Sequence, residues 1–391
     1  MIEEQSNFAA PSFVLWQSAA AAPIAAKIAI AGDFLPAGAI AVPEFNGWRT
    51  AATALANHFH DVSLSFLNLE CPLQTERLPP RKLCGLGQIV SAQPAVLDYL
   101  DEIHAHVVGI SNNHAHDYGH AGVARTRQAI ATRGMIPLGV GRTIRGAPEV
   151  FVAQIPGGIR VGFWAAARAS HDLATLKSSG CEPATIARAT QAFASMQSQR
   201  AHLCIALLHA GILRTNRPDP DDVSLLDAIA HCGFNIVAAC HSHRTAGAKQ
   251  IARRGRNAAS FCFYGLGSIA SGYIASPLER EGLIVVAALD LSGNLVRVEV
   301  RPVFLSESGF GGCPSPRVSR QILERFHSLS VELADGSAKH LFYRDVSHGL
   351  LRLYARDARA AFRESGVQGL VKKIRRVRVR HISRAAHSLL A

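Results

Sequence analysis

Five apolar runs of this 391-residue chain end in a residue able to bind a metal or carry a proton. They are Ile28-Ala-Ile-Ala-Gly-Asp33, Phe66-Leu-Asn-Leu-Glu70, Val107-Val-Gly-Ile-Ser-Asn-Asn-His114, Ile205-Ala-Leu-Leu-His209 and Ile236-Val-Ala-Ala-Cys-His-Ser-His243. Together Asp33, Glu70, Asn113, His209, His241 and His243 offer a mixed oxygen and nitrogen donor set. Such a set suits one or two ions of Mn²⁺, Fe²⁺, Zn²⁺ or Co²⁺ and lacks the thiolates of a structural zinc site. A carboxylate shared by two ions could hold them side by side, and such a pair would activate a water and clamp the oxygens of a phosphoryl group. His114 stands one residue beyond the ligand-like Asn113, so it can stay unligated and protonate a leaving group. Asp117, three residues on, can orient that imidazole.

Taken singly, each residue has an ordinary explanation. Asp33 after a glycine can be a turn residue, and Glu70 before Cys71-Pro72 can end a strand at the surface. Asn112, Asn113 and His114 can cap a helix beginning near Gly119, and His209 can be a satisfied buried histidine. Placement argues against five separate accidents. Ligands of open α/β sheets gather outside the carboxyl ends of the strands, and all five groups sit there.

The elements needed for that placement are legible in outline. Apolar runs at 27–33, 62–70, 106–111, 202–209, 234–240, 260–265, 282–291 and 295–305 read as strands. Helical spacing covers 48–59, 94–103, 119–133, 182–199 and 221–232, the last opening on acidic residues. The alternation predicts an α/β fold. A Gly- and Pro-rich stretch after Leu305 reads as a linker, which divides the chain into an extension (1–25), a main domain (26–305), and a linker with a basic helical tail (306–391).

Composition narrows the class. Hydrophobic residues make up 48% and charged residues 18%, which excludes a disordered chain. The net charge is +12, yet 366–391 holds seven lysines and arginines and no acid, so the main body is only mildly basic and nucleic acid is not an expected partner. Leu370, Val371, Ile374, Val377, Ile382 and Leu389 would line one side of a tail helix, which could lie on an anionic membrane surface or pack on the domain. The eight cysteines are scattered, as expected of reduced thiols. The acidic N-terminus is unlike a secretory signal, and the apolar stretch 13–30 is too interrupted for a membrane span, so the expectation is a cytoplasmic protein with peripheral membrane contact at most.

Gly32-Asp33, Asn68-Leu69-Glu70, Asn112-Asn113-His114-Ala-His-Asp117-Tyr118-Gly119, His209-Ala-Gly211, His241-Ser-His243 and Tyr264-Gly-Leu266-Gly267 occur in the order seen in the CapA family of capsule (poly-gamma-glutamate) synthesis proteins. The chain resembles that family from about Ala26 to Phe304, and the family belongs to the calcineurin-like metallophosphoesterase superfold. The resemblance implies a four-layer α/β/β/α sandwich, a divalent metal held by Asp33, Glu70, Asn113, His209, His241 and His243, and His114 as the catalytic histidine. It implies a metal-dependent hydrolase in capsule or poly-gamma-glutamate-type polymer biosynthesis, acting on a polymer or phosphoester-type substrate. Its alternative is a non-catalytic accessory protein of polymer assembly or export. Three departures bear on the site. Leu35 stands where the superfold usually has a histidine, Ala210 where the family often has a tryptophan, and Ser268 where an asparagine is usual.

Two other folds are weighed against these motifs. Gly265-Leu-Gly267-Ser-Ile-Ala270, with Asp290 further on, mimics a dinucleotide fingerprint, but 271–282 contains Gly272 and Pro277 and is too short for the helix that fingerprint requires. A serine hydrolase is disfavoured because no Gly-x-Ser-x-Gly occurs.

Overall fold

A computed structural model describes residues 12–19, 22–41, 47–74, 78–80, 89–168, 172–252 and 259–345, with short helical pieces between 358 and 369. The logic of the fold is visible in its central strands, whose alternate side chains serve two different cores. In β2 (Ala26–Leu35), Ile28 and Ile30 face a second sheet, whereas Ala29, Ala31 and Phe34 face helices. In β10 (Leu203–His209), Leu203, Ile205 and Leu207 face the first sheet, and Cys204, Ala206 and Leu208 face helices on the far side. Apolar side chains on both faces of both strands leave room for only one arrangement, two sheets face to face with helices outside each. This is the expected four-layer α/β/β/α sandwich.

The first sheet has the order β1 (Phe13–Gln17), β16 (Leu295–Leu305), β15 (Glu281–Leu289), β2, β3 (Leu64–Leu69), β4 (Val107–Gly109), β5 (Ile136–Leu138), with β14 (Ser268–Ser271) also on β2 and β17 (Gly311–Gly312) on β16. The second runs β12 (Ala248–Ala252), β13 (Ala259–Phe263), β11 (Ile236–Cys240), β10, β8 (Arg160–Ala167), β7 (Phe151–Gln154). A small ribbon pairs β6 (Val140–Arg142) with β9 (Gly180–Cys181). α1 (Trp48–Ala56), α2 (Leu97–Glu102) and α3 (Gly119–Thr132) cover the first sheet. α4 (Ile186–Ser198) and α5 (Pro220–His231) cover the second. The sequence marks the start of α5: the Asp219 side chain accepts from the Asp221 N–H, and Pro220 needs no donor there.

β2, β3 and β4 are mutually parallel, as are β8, β10 and β11, so both sheets present carboxyl ends carrying the residues singled out above. The Gly265–Ala270 segment is not a nucleotide loop. Its residues 268–270, with Ser271, form β14, parallel to β2, and a 3₁₀ turn (Pro277–Arg280) rather than an α-helix follows.

The flanks join the sandwich. β1 pairs antiparallel with β16, from the segment read as an extension. Within 306–391, read as linker and tail, β17 pairs with β16, and α6 (Pro316–Asp335) buries Ile322 and Phe326 in the core between the sheets. Phe326 stacks on Phe263 at 6.4 Å between ring centroids. The cationic residues of the tail, 372–384, lie outside the described residues.

Candidate metal centre

Asp33 lies two residues before the carboxyl end of β2 and is fully buried, with its charge spread over directed donors. Asn68 Nδ2 donates to Oδ1 at 2.7 Å, and the His241 backbone N–H donates to Oδ2 at 2.8 Å. One residue past β3, Glu70 is also fully buried, but neither of its carboxylate oxygens accepts a hydrogen bond from the described residues. Its neighbours are imidazoles: His209 Nε2 at 3.3 Å and His241 Nδ1 at 3.8 Å from Oε1, and His243 Nε2 at 3.6 Å from Oε2. His241 Nδ1 is itself buried without a hydrogen bond among the described residues. Asn113 Oδ1 reaches the same spot, 2.6 Å from His209 Nε2. All six predicted ligands therefore meet where the strands of both sheets end.

Buried polar atoms without protein partners are rare and point to an ion or water as the partner. Glu70 with His209 and His241, and Asp33 with Glu70 and His243, each form a triplet whose donor atoms lie within 4.8 Å of one another. Two carboxylates, an amide oxygen and three imidazoles fit a hard-to-borderline divalent cation. The residues present fit the expected metal.

The electrostatics agree with that fit. Burial would push the Glu70 carboxyl up, but His243 and His209 beside it hold it well below the usual range. Burial, together with the neighbouring His209, lowers His241 to about 4, leaving a neutral imidazole with an available lone pair. Burial also opposes charge on His243, yet the Glu70 and Asp33 carboxylates outweigh it and raise this group to about 9. A metal bound there would displace that proton.

His241 and His243 occupy the left-handed region, with φ of 111° and 55°. Such strain in non-glycine residues costs on the order of 1–3 kcal/mol each and persists only where surroundings over-determine it. Here Asp33 holds the His241 N–H, and the Ser242 hydroxyl donates to the Arg244 carbonyl at 2.9 Å.

His114 stands apart from the ligands. Its Nδ1 lies 2.8 Å from Asp117 Oδ2, which also accepts from the Val90 N–H at 3.0 Å, and its side chain retains 13% exposure. Its backbone N–H donates to Asn112 Oδ1 at 3.1 Å; Asn112 Nδ2 donates to Asn68 Oδ1 and to the Leu69 carbonyl. A relay of side-chain amides thus ties the His114 loop to Asp33. In the sequence Asn68 is only part of a motif and Asn112 reads as a motif residue or a helix cap; their supporting role depends on contacts across strands that no linear spacing displays.

The three departures have structural outcomes. Leu35 packs in the core beneath the helices, so no imidazole joins Asp33 from β2. Ala210 is buried in the core beneath α5. Ser268 Oγ lies 3.2 Å from His243 Nδ1, so a hydroxyl supports this histidine where an amide was expected. His116 is buried against Cys181 and edge-on to His120.

Comparison with known proteins follows the same lines. Residues 27–273 match the family model of the bacterial capsule synthesis protein PGA_cap. No curated protein matches the chain. Among solved structures, the NAD nucleotidase NadN of Haemophilus influenzae is 10% identical with a TM-score of 0.43, the alignment covering 78% of this chain and 56% of that one. The SoxB sulfate thiohydrolase of Thermus thermophilus, solved with glycerol, is 11% identical with a TM-score of 0.39, over 76% and 59%. The protein TT1561 of Thermus thermophilus is 12% identical with a TM-score of 0.35, over 71% and 98%. The chain thus spans under three fifths of the first two proteins. With the family model covering well over half of its length, the chain belongs to the bacterial capsule synthesis protein (PGA_cap) family.

Proposed function

We propose that this protein is a metal-dependent hydrolase acting on a phosphoester-type bond in capsule or poly-gamma-glutamate-type polymer biosynthesis. The observation that carries the reading is Glu70, a buried carboxylate with no hydrogen bond to either oxygen among the described residues, surrounded by His209, His241 and His243. A buried charge left in that state is costly unless a cation completes it. Asp33, Glu70, Asn113, His209, His241 and His243 would hold the ion, which supplies an activated water and offsets charge on the substrate oxygens. His114, with Nδ1 held by Asp117, presents Nε2 to the leaving oxygen and would protonate it when both ring nitrogens carry protons. The relay through Asn112, Asn68 and Asp33 fixes its loop against the ligands.

Elemental analysis of protein purified with added Mn²⁺, followed by assays on p-nitrophenyl phosphate and its bis-ester, tests the reading. At least one ion per chain is expected, lost in Glu70→Gln. His114→Ala should keep the ion while turnover falls by about 10²–10⁴. Metal at background level, or equal turnover in wild type and Glu70→Gln, would overturn it. A metal-loaded protein without turnover, whose polymer binding survives Asp33→Ala, would identify a binding module instead.

A further inference from the structure

Two arginines issue from the ligand-bearing loops, and the metal set uses neither. Arg244 directly follows His243, and Arg214 lies five residues past His209, its backbone N–H donating to the carbonyl of Ser242 at 2.8 Å, between the two histidines of His241-Ser-His243. Both guanidinium groups converge on a single carboxylate oxygen: Arg214 Nε lies 3.4 Å and Arg244 Nη2 3.8 Å from Glu279 Oε1. That carboxylate is already engaged elsewhere, accepting from the Ala275 N–H and the Ser276 hydroxyl. Arg244 also donates to Asn216 Oδ1 and Ser276 Oγ, which hold its plane, while its Nε is buried with no hydrogen bond among the described residues. Arg214 keeps 56% of its side chain exposed, on a backbone with φ of 64°.

The contrast with Arg168, which follows β8, is instructive. Its backbone N–H donates to the His209 carbonyl, but its guanidinium lies between two acids, 2.6 Å from Asp222 and 3.7 Å from Asp221. Arg168 is neutralised twice over, whereas among the described residues Arg214 and Arg244 share the single ion-paired carboxylate of Glu279, and Glu281, the next acid near Arg244, is itself paired with Arg325. Two guanidinium groups fixed within reach of one another form a fork suited to a phosphate or carboxylate, and strained backbone placing one of them is a feature of binding sites.

We propose that Arg214 and Arg244 bind a second anionic group of the substrate, beside the group presented to the metal centre. The substrate class would then be one carrying at least two negative groups, a phosphate-rich or carboxylate-rich chain rather than an isolated monoester. The assignment of a neighbouring reacting group rests on the hydrolase reading above; the anion subsite itself does not.

Isothermal titration of the full-length protein with inorganic tripolyphosphate, and separately with a glutamate oligomer, separates the two. Each titration is run on metal-loaded and on EDTA-treated protein. Tripolyphosphate or the oligomer should bind wild type, and the tighter of them identifies the anion. Arg214→Ala should weaken binding at least tenfold with metal content unchanged, and Arg214→Lys, which keeps the charge, should recover most of it. Arg244→Lys, which loses the planar fork, should fall between. Arginine-dependent binding in a protein that holds no metal would sustain the subsite while the hydrolase reading fails. Equal affinity in wild type and Arg214→Ala, or binding of neither probe by wild type, would sink the proposal.

Discussion

Asp117 shows what one buried carboxylate can decide. Its Oδ2 receives the Val90 N–H and faces His114 Nδ1, so the proton of a neutral His114 is held on Nδ1. In Asp117→Asn the amide oxygen, seated in place of Oδ2, would still accept from Val90 and from His114 Nδ1, but the negative charge that favours a doubly protonated imidazole would be gone. The expected outcome is unchanged metal content and fold with turnover reduced by about 10²-fold. Wild-type turnover in this variant would refute the role. At this scale the sequence was highly legible, because each ligand closes an apolar run and the eye needs only the strand ends. What it hid was support across strands. Asn68 looks like a polar interruption of β3, yet it bridges Asp33 and Asn112. The arginine pair shares Glu279 from a segment 35 residues past Arg244, a proximity that only the fold creates.

Elements position these residues by close backbone approach. Asp33 N–H donates to the Gly267 carbonyl at 3.0 Å, where β14 joins β2, and a Cβ on Gly32 would stand only 2.0 Å from that same oxygen. No side-chain rotation relieves a clash with backbone, so Gly32→Ala must push β14 away from the strand that carries Asp33. We expect a loss of about 3 kcal/mol or more, together with weaker metal binding, seen as a lower thermal midpoint in the metal-free and metal-loaded protein alike. An unchanged midpoint would mean that the junction is not rigid. The glycines of Gly265-Leu-Gly267 thus serve strand packing, and their likeness to a nucleotide fingerprint is a coincidence of spacing. The strands most easily read were those with β-branched residues. β8 was missed because Trp164-Ala-Ala-Ala167 carries helix-favouring alanines and no alternation, being buried on both faces: Phe163 and Ala165 lie between the sheets, Trp164 and Ala166 beneath the helices.

Across the whole molecule, the first helical layer is bound to the chain's later part by a buried polar network. Arg301 on β16 pairs with Asp61 and Glu299 and donates to the His58 carbonyl just past α1; Lys27 also pairs with Asp61. His58 lies within this network, with Cys313 Sγ 3.2 Å from its Nε2. Burial, reinforced by Arg301 and His60 and opposed by Asp61, lowers its pKa from 6.5 to about 4. A histidine whose folded-state pKa is depressed stabilises the fold above the unfolded value and loses that contribution as the pH falls. The unfolded chain takes up the proton near 6.5, while the folded one resists until about 4. Between those limits each pH unit removes up to about 1.4 kcal/mol. Denaturant titrations of the metal-loaded protein from about pH 7.5 to about pH 4.5 should show this decline. The His58→Gln variant, whatever its absolute stability, should show a slope shallower by about one proton. Parallel slopes would place the acid sensitivity elsewhere. The sequence could not disclose this, since His58 reads as one more histidine in a helical stretch; its meaning comes from a strand more than 240 residues later, folded back against the first helix.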